Sequence, residues 1–246
     1  MKQNAYDNSQ FFSKYAELPR SKMGLVAANE WPELKKLLPD LKGLKVLDLG
    51  CGYGWHCRYL KENGAAHVIG LDLSFKMLEK ARQENGLDGV EYIQGAIEDI
   101  SFKDAEFDLV FSSLAFHYVE DFDRVCKTIQ RILKNGGKFV FSTEHPVFTA
   151  RKEQDWARDI NGKIQHWPVD GYHQIGKRHT SWLADDVIKY HRTFSSILDS
   201  LLSAGFEINK IAEPTLTEDT LKQHPEWSDE IRRPMFLLIA ATKKPI

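Results

Sequence analysis

A short apolar run that ends in a glycine-rich turn is the feature that most restricts the fold of this chain. Residues 45–50 read KVLDLG, and the turn continues as CGYG through residue 54. An apolar run of this length that stops at glycine is typical of a buried parallel strand. Glycines between a strand and a helix let the backbone approach a ligand, and the helix N-terminus offers free N–H groups. The segment therefore predicts a nucleotide-type binding turn in an α/β sheet.

Strands and helices alternate along the chain after this turn. The predicted strands are 45–50, 67–73, 90–94, 107–112, 138–142, 207–213 and 235–242. Helices at 74–83, 121–133 and 185–204 are indicated by Ser74 as an N-cap and by apolar residues at helical spacing. This alternation gives right-handed crossovers and a mostly parallel sheet with helices on both faces. We therefore predict an α/β, doubly wound fold.

We expect the whole chain, residues 1–246, to form a single domain of four segments. Residues 1–44 are predicted as an N-terminal helical cap, because apolar residues recur at helical spacing and prolines delimit two short helices. Residues 45–143 are the predicted ligand-binding core. Residues 144–184 form an insertion after strand five and the predicted substrate-side lid, since long irregular segments in compact domains are usually functional. Residues 185–246 are the predicted C-terminal part of the core.

The overall charge and the cysteines disfavour several classes of function. A formal net charge of −2 lacks the positive surface that nucleic-acid binding needs. The three cysteines contain no Cys-x-x-Cys pair, and the histidines lack metal-ligand spacing, so neither a disulfide framework nor a metal is expected. Polar residues 1–10 and the lack of a long apolar run disfavour a signal peptide and a membrane span. We expect a cytoplasmic monomer or homodimer whose partner is a small molecule, not nucleic acid or a membrane.

The spacing of the turn distinguishes between two kinds of nucleotide ligand. A dinucleotide fingerprint reads Gly-x-Gly-x-x-Gly, with a third glycine for close helix–strand packing, but here that position holds Trp55. Asp48 carries a charge that would repel a pyrophosphate and suit an ammonium or sulfonium group. Asp72 ends the second strand twenty positions after Gly52, where an acidic residue commonly accepts hydrogen bonds from ribose hydroxyls. The pattern favours S-adenosylmethionine (SAM) over a nicotinamide dinucleotide.

Four motifs follow one another in residues 45–143. They read VLDLGCGYG at 46–54, GLDLS at 70–74 with MLEKA at 77–81, FDLVFS at 107–112, and LKNGGK at 133–138. Together they resemble the class I (Rossmann-like) SAM-dependent methyltransferases of small-molecule type, such as the menaquinone/ubiquinone-biosynthesis group. The resemblance implies a seven-stranded sheet whose last strand is antiparallel. It also implies methyl transfer from SAM to a small-molecule acceptor by in-line displacement, with S-adenosylhomocysteine as the product.

The resemblance assigns the cofactor site to the ends of the first four strands. Relatives often read Gly-Asp-Ala-Glu after strand three, whereas this chain reads GAIE at 95–98. Without the acidic residue at position 96, the adenine amino group is expected to meet Glu98, Asp99 or a carbonyl, and the ring nitrogens the Ile97 N–H. The predicted cofactor-binding residues are Asp48, Gly50, Cys51, Gly52, Asp72, Leu73, Met77, Ala96, Ile97, Glu98 and Ser112.

The acceptor is expected outside the carboxyl ends of strands four and five, where ligands of doubly wound sheets lie. Methyl transfer requires a nucleophile held opposite the sulfur, and an amine or hydroxyl nucleophile can need a base. His117 after strand four and His145 after strand five are the predicted catalytic residues. The predicted substrate-side residues are Tyr6, Tyr15, Arg20, Trp55, Tyr118, Trp167 and Tyr172.

Each assignment has an alternative that the sequence leaves open. Asp48 could serve only to pin the turn, and Asp72 only to place charge at a helix N-terminus. The two histidines could pack or shape loops, and the aromatic residues of the insertion could pack the lid onto the sheet. At the level of function, the alternatives are a SAM-binding protein without transferase activity and a nicotinamide-dependent oxidoreductase.

Overall fold

The computed structural model describes residues 3–244, so the first two and last two residues of the predicted domain lie outside the described residues. The strands are β1 (Lys45–Leu49), β2 (His67–Asp72), β3 (Val90–Gln94), β4 (Phe107–Ser113), β5 (Leu133–Glu144), β6 (Ala157–Arg158), β7 (Ile164–His166), β8 (Gly176–Trp182), β9 (Ala184–His191), β10 (Phe206–Ala212) and β11 (Phe236–Lys243). The α-helices are α1 (Ser9–Ala16), α2 (Pro19–Met23), α3 (Trp31–Leu34), α4 (Trp55–Glu62), α5 (Phe75–Asn85), α6 (Phe122–Ile132), α7 (Pro146–Thr149), α8 (Phe194–Ser203) and α9 (Glu218–Gln223). Short 3-10 helices lie at Ala5–Asp7, Gly24–Ala27, Lys35–Leu37, Ile97–Asp99, Phe116–Tyr118 and Pro225–Arg232.

A seven-stranded sheet forms the centre of the described part of the chain, in the order β10-β11-β5-β4-β1-β2-β3. The strands from β5 to β3 run parallel to their neighbours. Strand β11 is antiparallel to both β5 and β10. The strand order reverses between β1 and β4, which is where a doubly wound sheet opens a crevice for a ligand. The predicted mostly parallel sheet, with its antiparallel last strand, is confirmed.

Helices cover both faces of the sheet, because the strand side chains alternate between two apolar cores. On β1, Leu47 and Leu49 point into a core shared with α6 and α8. Val46 points into the opposite core, which contains residues of α3, α4 and α5. The predicted cover of helices on both faces is confirmed, and it leaves the carboxyl ends of the parallel strands as the free edge for a site.

The helix predicted at 185–204 is wrong in its first half, where the chain forms strand β9. Helix α8 accounts for the second half. Val187, Lys189 and His191 are buried and alternate with less buried neighbours, which is the period-two pattern of a strand. Strand β5 also begins earlier than residue 138, because a register shift in its pairing with β4 accommodates the intervening residues.

The insertion after strand five is folded rather than irregular. It contains the antiparallel pairs β6-β7 and β8-β9. Because β8 and β9 form one hairpin, the insertion continues past the predicted boundary at residue 184 and through β9. The Arg233 guanidinium lies 4.9 Å from the Phe148 ring centre and 4.5 Å from that of Trp167. These cation–π contacts tie the insertion to the segment that precedes β11.

Candidate functional site

The turn between β1 and α4 contains three glycines in the left-handed backbone region. Their φ angles are +75° at Gly50, +54° at Gly52 and +78° at Gly54. A Cβ atom at Gly50 would lie 2.5 Å from the Cβ of Ala115, whereas one at Gly52 would meet nothing within 4 Å. Gly50 is therefore required for packing against the loop after β4, while Gly52 leaves space above the backbone that a ligand can fill.

Asp72 borders this space from the end of β2. Its Oδ2 accepts a hydrogen bond from the Gly52 N–H at 2.9 Å, and its Oδ1 accepts one from the Ser74 N–H at 2.9 Å. Burial raises the pKa of Asp72 to about 6, although these backbone hydrogen bonds act in the opposite direction. Each carboxylate oxygen can accept a further hydrogen bond, so the ionised group can still bind ligand hydroxyls.

A cavity of about 1000 Å³ opens above the turn. We call the part around Gly52, Asp72 and Met77 the cofactor half, and the part around His117 and Glu144 the acceptor half. The predicted residues that line the cavity are Tyr6, Tyr15, Arg20, Gly50, Gly52, Asp72, Leu73, Met77, Ala96, Ile97, Glu98, His117 and Tyr118. The volume lies at the upper end of ordinary small-molecule pockets, which leaves room for two ligands side by side.

Three ionisable side chains meet in the acceptor half. Glu144 is the last residue of β5, His117 follows β4, and Lys189 comes from β9. The Lys189 Nζ lies 2.5 Å from the Glu144 Oε1, and the His117 Nε2 lies 3.9 Å from the same oxygen. The His117 Nδ1 accepts a long hydrogen bond, 3.5 Å, from the Glu144 N–H. This bond assigns the proton of the neutral imidazole to Nε2, on the side of the carboxylate.

Burial and the neighbouring charges determine whether His117 and Glu144 are ionised. Burial lowers the pKa of His117 to about 4, so the ring is neutral at pH 7. Burial alone would raise the pKa of Glu144, but the charges of His117 and Lys189 and hydrogen bonds from Lys189 and Gln154 lower it below its ordinary value. Because His117 is neutral at pH 7, the Lys189 ammonium is the group that favours the ionised carboxylate there. The acceptor half thus contains a neutral imidazole beside an ion pair.

The N-terminal segment forms a further wall of the cavity. The Tyr6 hydroxyl donates to the Tyr118 hydroxyl at 3.2 Å. The Asp7 carboxylate accepts from the Ser74 hydroxyl at 2.5 Å and from the Lys76 N–H at 3.1 Å. These bonds fasten the segment to the N-terminus of α5, where a negative charge is favourable. The segment therefore connects the cofactor half with the acceptor half.

Three predicted cofactor residues, Asp48, Cys51 and Ser112, lie beneath the turn and outside the lining that residues 3–244 provide. Asp48 lies on the face of β1 that is turned toward α4, and its Oδ2 accepts from the Cys57 thiol at 3.2 Å. Cys51 is buried in the same core. The Ser112 hydroxyl donates to the Leu49 carbonyl at 2.7 Å. Alternation along β1 and β4 turns the side chains of Asp48 and Ser112 away from the cavity.

His145 also lies outside the lining. Its Nδ1 accepts from the Val147 N–H at 3.0 Å, which makes it the N-cap of α7. Its Nε2 lies 2.7 Å from the Glu213 Oε1. Both ring nitrogens are therefore engaged in holding the start of the insertion, and the structure does not bring His145 together with His117 in the acceptor half.

Trp55, Trp167 and Tyr172 pack the additions to the core instead of lining the cavity formed by the described residues. Trp55 begins α4 and lies against Gly24 of the cap, where a Cβ would approach its ring to 2.7 Å. Trp167 stacks on Phe148 with ring centres 5.2 Å apart. The Tyr172 hydroxyl accepts from the first N–H of α8 at 2.9 Å. The insertion places Trp182 at the cavity in their stead.

Several lining residues were not predicted from the sequence. Lys189 and Trp182 come from the β8-β9 hairpin, and Gln3 and Asn4 come from the N-terminal segment. Lys189 lies on the buried face of β9 with Val187 and His191, and hydropathy does not mark this face because two of its three residues are polar. Gln3 contacts the hairpin through the Asp186 carbonyl and the Ile188 N–H, at 2.7 and 2.8 Å. No local pattern indicates a contact between residues so far apart in the chain.

The cofactor half fits SAM. Asp72 offers carboxylate oxygens for ribose hydroxyls, and Met77 and Ile97 offer apolar surface for an adenine ring. The open space at Gly52 admits a ligand close to the backbone. Ribose hydroxyls and an aromatic ring are both present in SAM.

None of the helices in residues 3–244 has the length and apolar character to cross a membrane. The same residues contain no group of three or more His, Cys, Asp or Glu side chains arranged to hold a metal ion.

A doubly wound sheet with an open glycine turn and an acidic residue at the end of β2 defines a Rossmann-like enzyme with a nucleoside cofactor. Residues 47–141 match the family model described as "Methyltransferase domain". The chain is similar to the crystal structure of an S-adenosylmethionine dependent methyltransferase from Mesorhizobium loti, with 44% identity, a TM-score of 0.83, and coverage of 89% of this chain and 100% of that chain.

A proposed S-adenosylmethionine dependent methyltransferase from Listeria monocytogenes gives 50% identity, a TM-score of 0.86, and coverage of 90% of this chain and 100% of that chain. A malonyl-[acyl-carrier protein] O-methyltransferase from Pectobacterium atrosepticum is 33% identical over 68% of this chain and 64% of its own length. The chain belongs to the class I SAM-dependent methyltransferases, and SAM is its cofactor. The predicted family, enzyme class and cofactor are confirmed, and the nicotinamide alternative is without support.

Proposed function

We propose that this chain transfers the methyl group of SAM to a small-molecule acceptor bound in the acceptor half of the cavity. The observation that carries the proposal is the continuity of the cavity. One space of about 1000 Å³ is lined both by Gly52 and Asp72 and by His117, Tyr118 and Glu144. A cofactor and an acceptor can therefore be held next to each other in one space, which is the main requirement for methyl transfer.

When bound, SAM supplies a methyl group on a positively charged sulfur. In the proposal, Asp72, Leu73, Met77, Ile97 and the glycine turn hold the cofactor. The neutral imidazole of His117 lines the acceptor half, where its Nε2–H donates a hydrogen bond to the acceptor. Tyr118 and Tyr6, joined by their hydroxyls, orient the acceptor from the side of the cap.

The proposal assigns the cap at residues 1–44 and the insertion at 144–184 to closing the acceptor half. Support comes from the lining, which includes Tyr6, Tyr15 and Trp182. The near-neutral net charge of −2 supports a small molecule over nucleic acid as the partner. Within the proposal, the protein works in the cytoplasm as a monomer or homodimer and needs no metal.

The test combines binding with transfer. Calorimetric titrations with SAM, S-adenosylhomocysteine and NAD should show binding of the first two and none of NAD. Incubation with methyl-labelled SAM and a metabolite extract should then produce a labelled small molecule. SAM binding without labelled product from any extract would support the alternative, a SAM-binding protein without transferase activity.

The His117→Ala variant tests the acceptor half directly. We expect turnover at least about tenfold lower with unchanged SAM affinity, because the variant loses the Nε2–H donor that holds the acceptor in position. His67→Ala is the matched control, since His67 begins β2 at the opposite end of the parallel strands. Equal turnover in the His117 variant and the wild type would remove His117 from the reaction.

A further inference from the structure

Four cations line the cavity: Arg124 and Lys177 are exposed, whereas Arg20 and Lys189 each contact a carboxylate of the protein. Arg20 donates to Glu30, which is 1% exposed. Lys189 contacts Glu144 at 2.5 Å and donates to the Gln154 Oε1 at 3.0 Å. The two less exposed positive charges are therefore compensated by carboxylates of the protein itself. A carboxylate acceptor would enter this space as an additional anion.

Lys189 is held in its position by its surroundings. It is 2% exposed, and its Nζ lies 5.9 Å from the ring centre of Phe148 and 5.4 Å from that of Trp182. A buried ammonium without a partner is costly, so the ammonium is bound to the Glu144 carboxylate. The ion pair thus joins the β8-β9 hairpin to the end of β5, and it fixes the direction of the Glu144 side chain.

The second oxygen of Glu144 keeps capacity to accept hydrogen bonds. Among the described residues, the Glu144 Oε2 accepts a long hydrogen bond, 3.4 Å, from the Gln154 side-chain amide. An ionised carboxylate oxygen offers two lone pairs. Glu144 lines the cavity, and so it presents a negatively charged acceptor site to whatever group is placed beside it.

Building on the proposed methyl transfer, we propose that the methyl acceptor is an amine or a hydroxyl, whose N–H or O–H donates to Glu144, and that Lys189 is the positioning residue for this carboxylate. A carboxylate acceptor is disfavoured, because two like charges in one buried site oppose each other's ionisation. A donor group, by contrast, gains a charge-assisted hydrogen bond at the Glu144 Oε2.

The methyl transfer needs only SAM, the acceptor and the Glu144 carboxylate. A lone pair on the acceptor nitrogen or oxygen forms a bond to the methyl carbon as the carbon–sulfur bond breaks, and the electron pair of that bond stays on sulfur. The proton of the acceptor passes to Glu144, which later releases it to water. Glu144 must be ionised at the start, and the Lys189 ammonium stabilises that form.

The class of acceptor can be read from the product. The purified protein is incubated with methyl-labelled SAM and a metabolite extract, and the recovered product is treated with mild base. Methyl esters release labelled methanol under these conditions, whereas N-methyl groups and methyl ethers keep the label. We expect a base-stable label. Release of labelled methanol would overturn the acceptor class while upholding methyl transfer, and absence of any labelled product would contradict the proposed function instead.

The roles of Glu144 and Lys189 can be tested with variants, using as substrate the acceptor identified from the labelled product. Glu144→Gln should lower kcat at least tenfold and leave the affinity for SAM, measured by calorimetry, unchanged. Lys189→Met should move the acidic limb of the kcat–pH profile to higher pH, because Glu144 loses the cation that favours its ionised form. Lys189→Arg should restore the profile, and Lys163→Met, at an exposed position of the insertion, should match the wild type.

An unchanged pH profile in Lys189→Met, together with wild-type kcat in Glu144→Gln, would overturn the assignment. The affinity for SAM serves as the check on folding, because the cofactor half lies on other elements. A Lys189→Met protein that binds SAM normally and loses activity equally at every pH would show a structural role for Lys189 and contradict the proposal.

Discussion

Asp48 predicts a pH dependence of stability whose sign and size follow from its burial. The carboxyl group is 0% exposed. Its Oδ2 accepts from Cys57, and among the described residues its Oδ1 has no hydrogen-bond partner. Burial raises the pKa of Asp48 to about 7. An aspartate in an unfolded chain has a pKa of about 3.9, so the unfolded state loses this proton first as pH rises.

The sign follows from that order of ionisation. The stability that the protonated carboxyl contributes is fully present below about pH 3.9 and is lost as pH rises toward about 7. Each pH unit in that interval costs about 1.4 kcal/mol. Between pH 5 and the folded pKa of about 7, the free energy of unfolding therefore falls by at most about 3 kcal/mol through Asp48.

Asp48→Asn removes this titration. We expect the free energy of unfolding of the variant, relative to the wild type, to rise by up to about 3 kcal/mol between pH 5 and pH 8. Urea unfolding without SAM at both pH values measures the difference. Asp88→Asn, at an exposed position, is the control and should show no comparable change. A difference between variant and wild type that is the same at both pH values would refute the reasoning.

Further predictions concern the cofactor half. Asp72→Ala should weaken SAM binding at least tenfold, about 1.4 kcal/mol, in calorimetry; an unchanged affinity would remove Asp72 from the site. Because the pKa of Asp72 is about 6, the SAM affinity of the wild type should fall as pH drops through 6, and Asp72→Asn should lose this dependence. Gly50→Ala should lower Tm, since its Cβ would meet Ala115 at 2.5 Å. Gly52→Ala carries the strain of a φ of +54° but has open space, so it should lower Tm less than Gly50→Ala and should weaken SAM binding; equal stability losses in the two glycine variants would contradict this contrast.

The sequence predicted the parts of the fold that depend on local patterns. The glycine turn, the strand–helix alternation and Asp72 at the end of β2 all follow from residues that are near one another in the chain. Their positions were correct because short apolar runs and caps determine strands and helix starts locally. Asp48 could also have been placed correctly, since period-two alternation puts it on the α4 face of β1 with Val46.

The rest of the site depends on contacts between distant residues. Lys189 reaches Glu144 across 45 positions, and the strand that carries it was mistaken for a helix because its exposed face also bears apolar residues. The place of His145 after β5 predicts a catalytic role, whereas in the structure its two ring nitrogens contact the Val147 N–H and the Glu213 carboxylate. Such roles are set by the partner, which the sequence does not show.

In the proposed function, the residues that bind the cofactor and those that select the acceptor lie in different parts of the chain. Gly52, Asp72 and Met77 lie in the segment 47–141 that matches the methyltransferase family model. Glu144 and Lys189 lie beyond that segment and meet it at the ends of β4 and β5. Because the insertion can change without disturbing the turn that binds SAM, the family resemblance is informative about the methyl donor and silent about the acceptor. The Glu144–Lys189 pair is therefore where the specificity of this chain should be sought, and substitutions there should alter the acceptor while SAM binding persists.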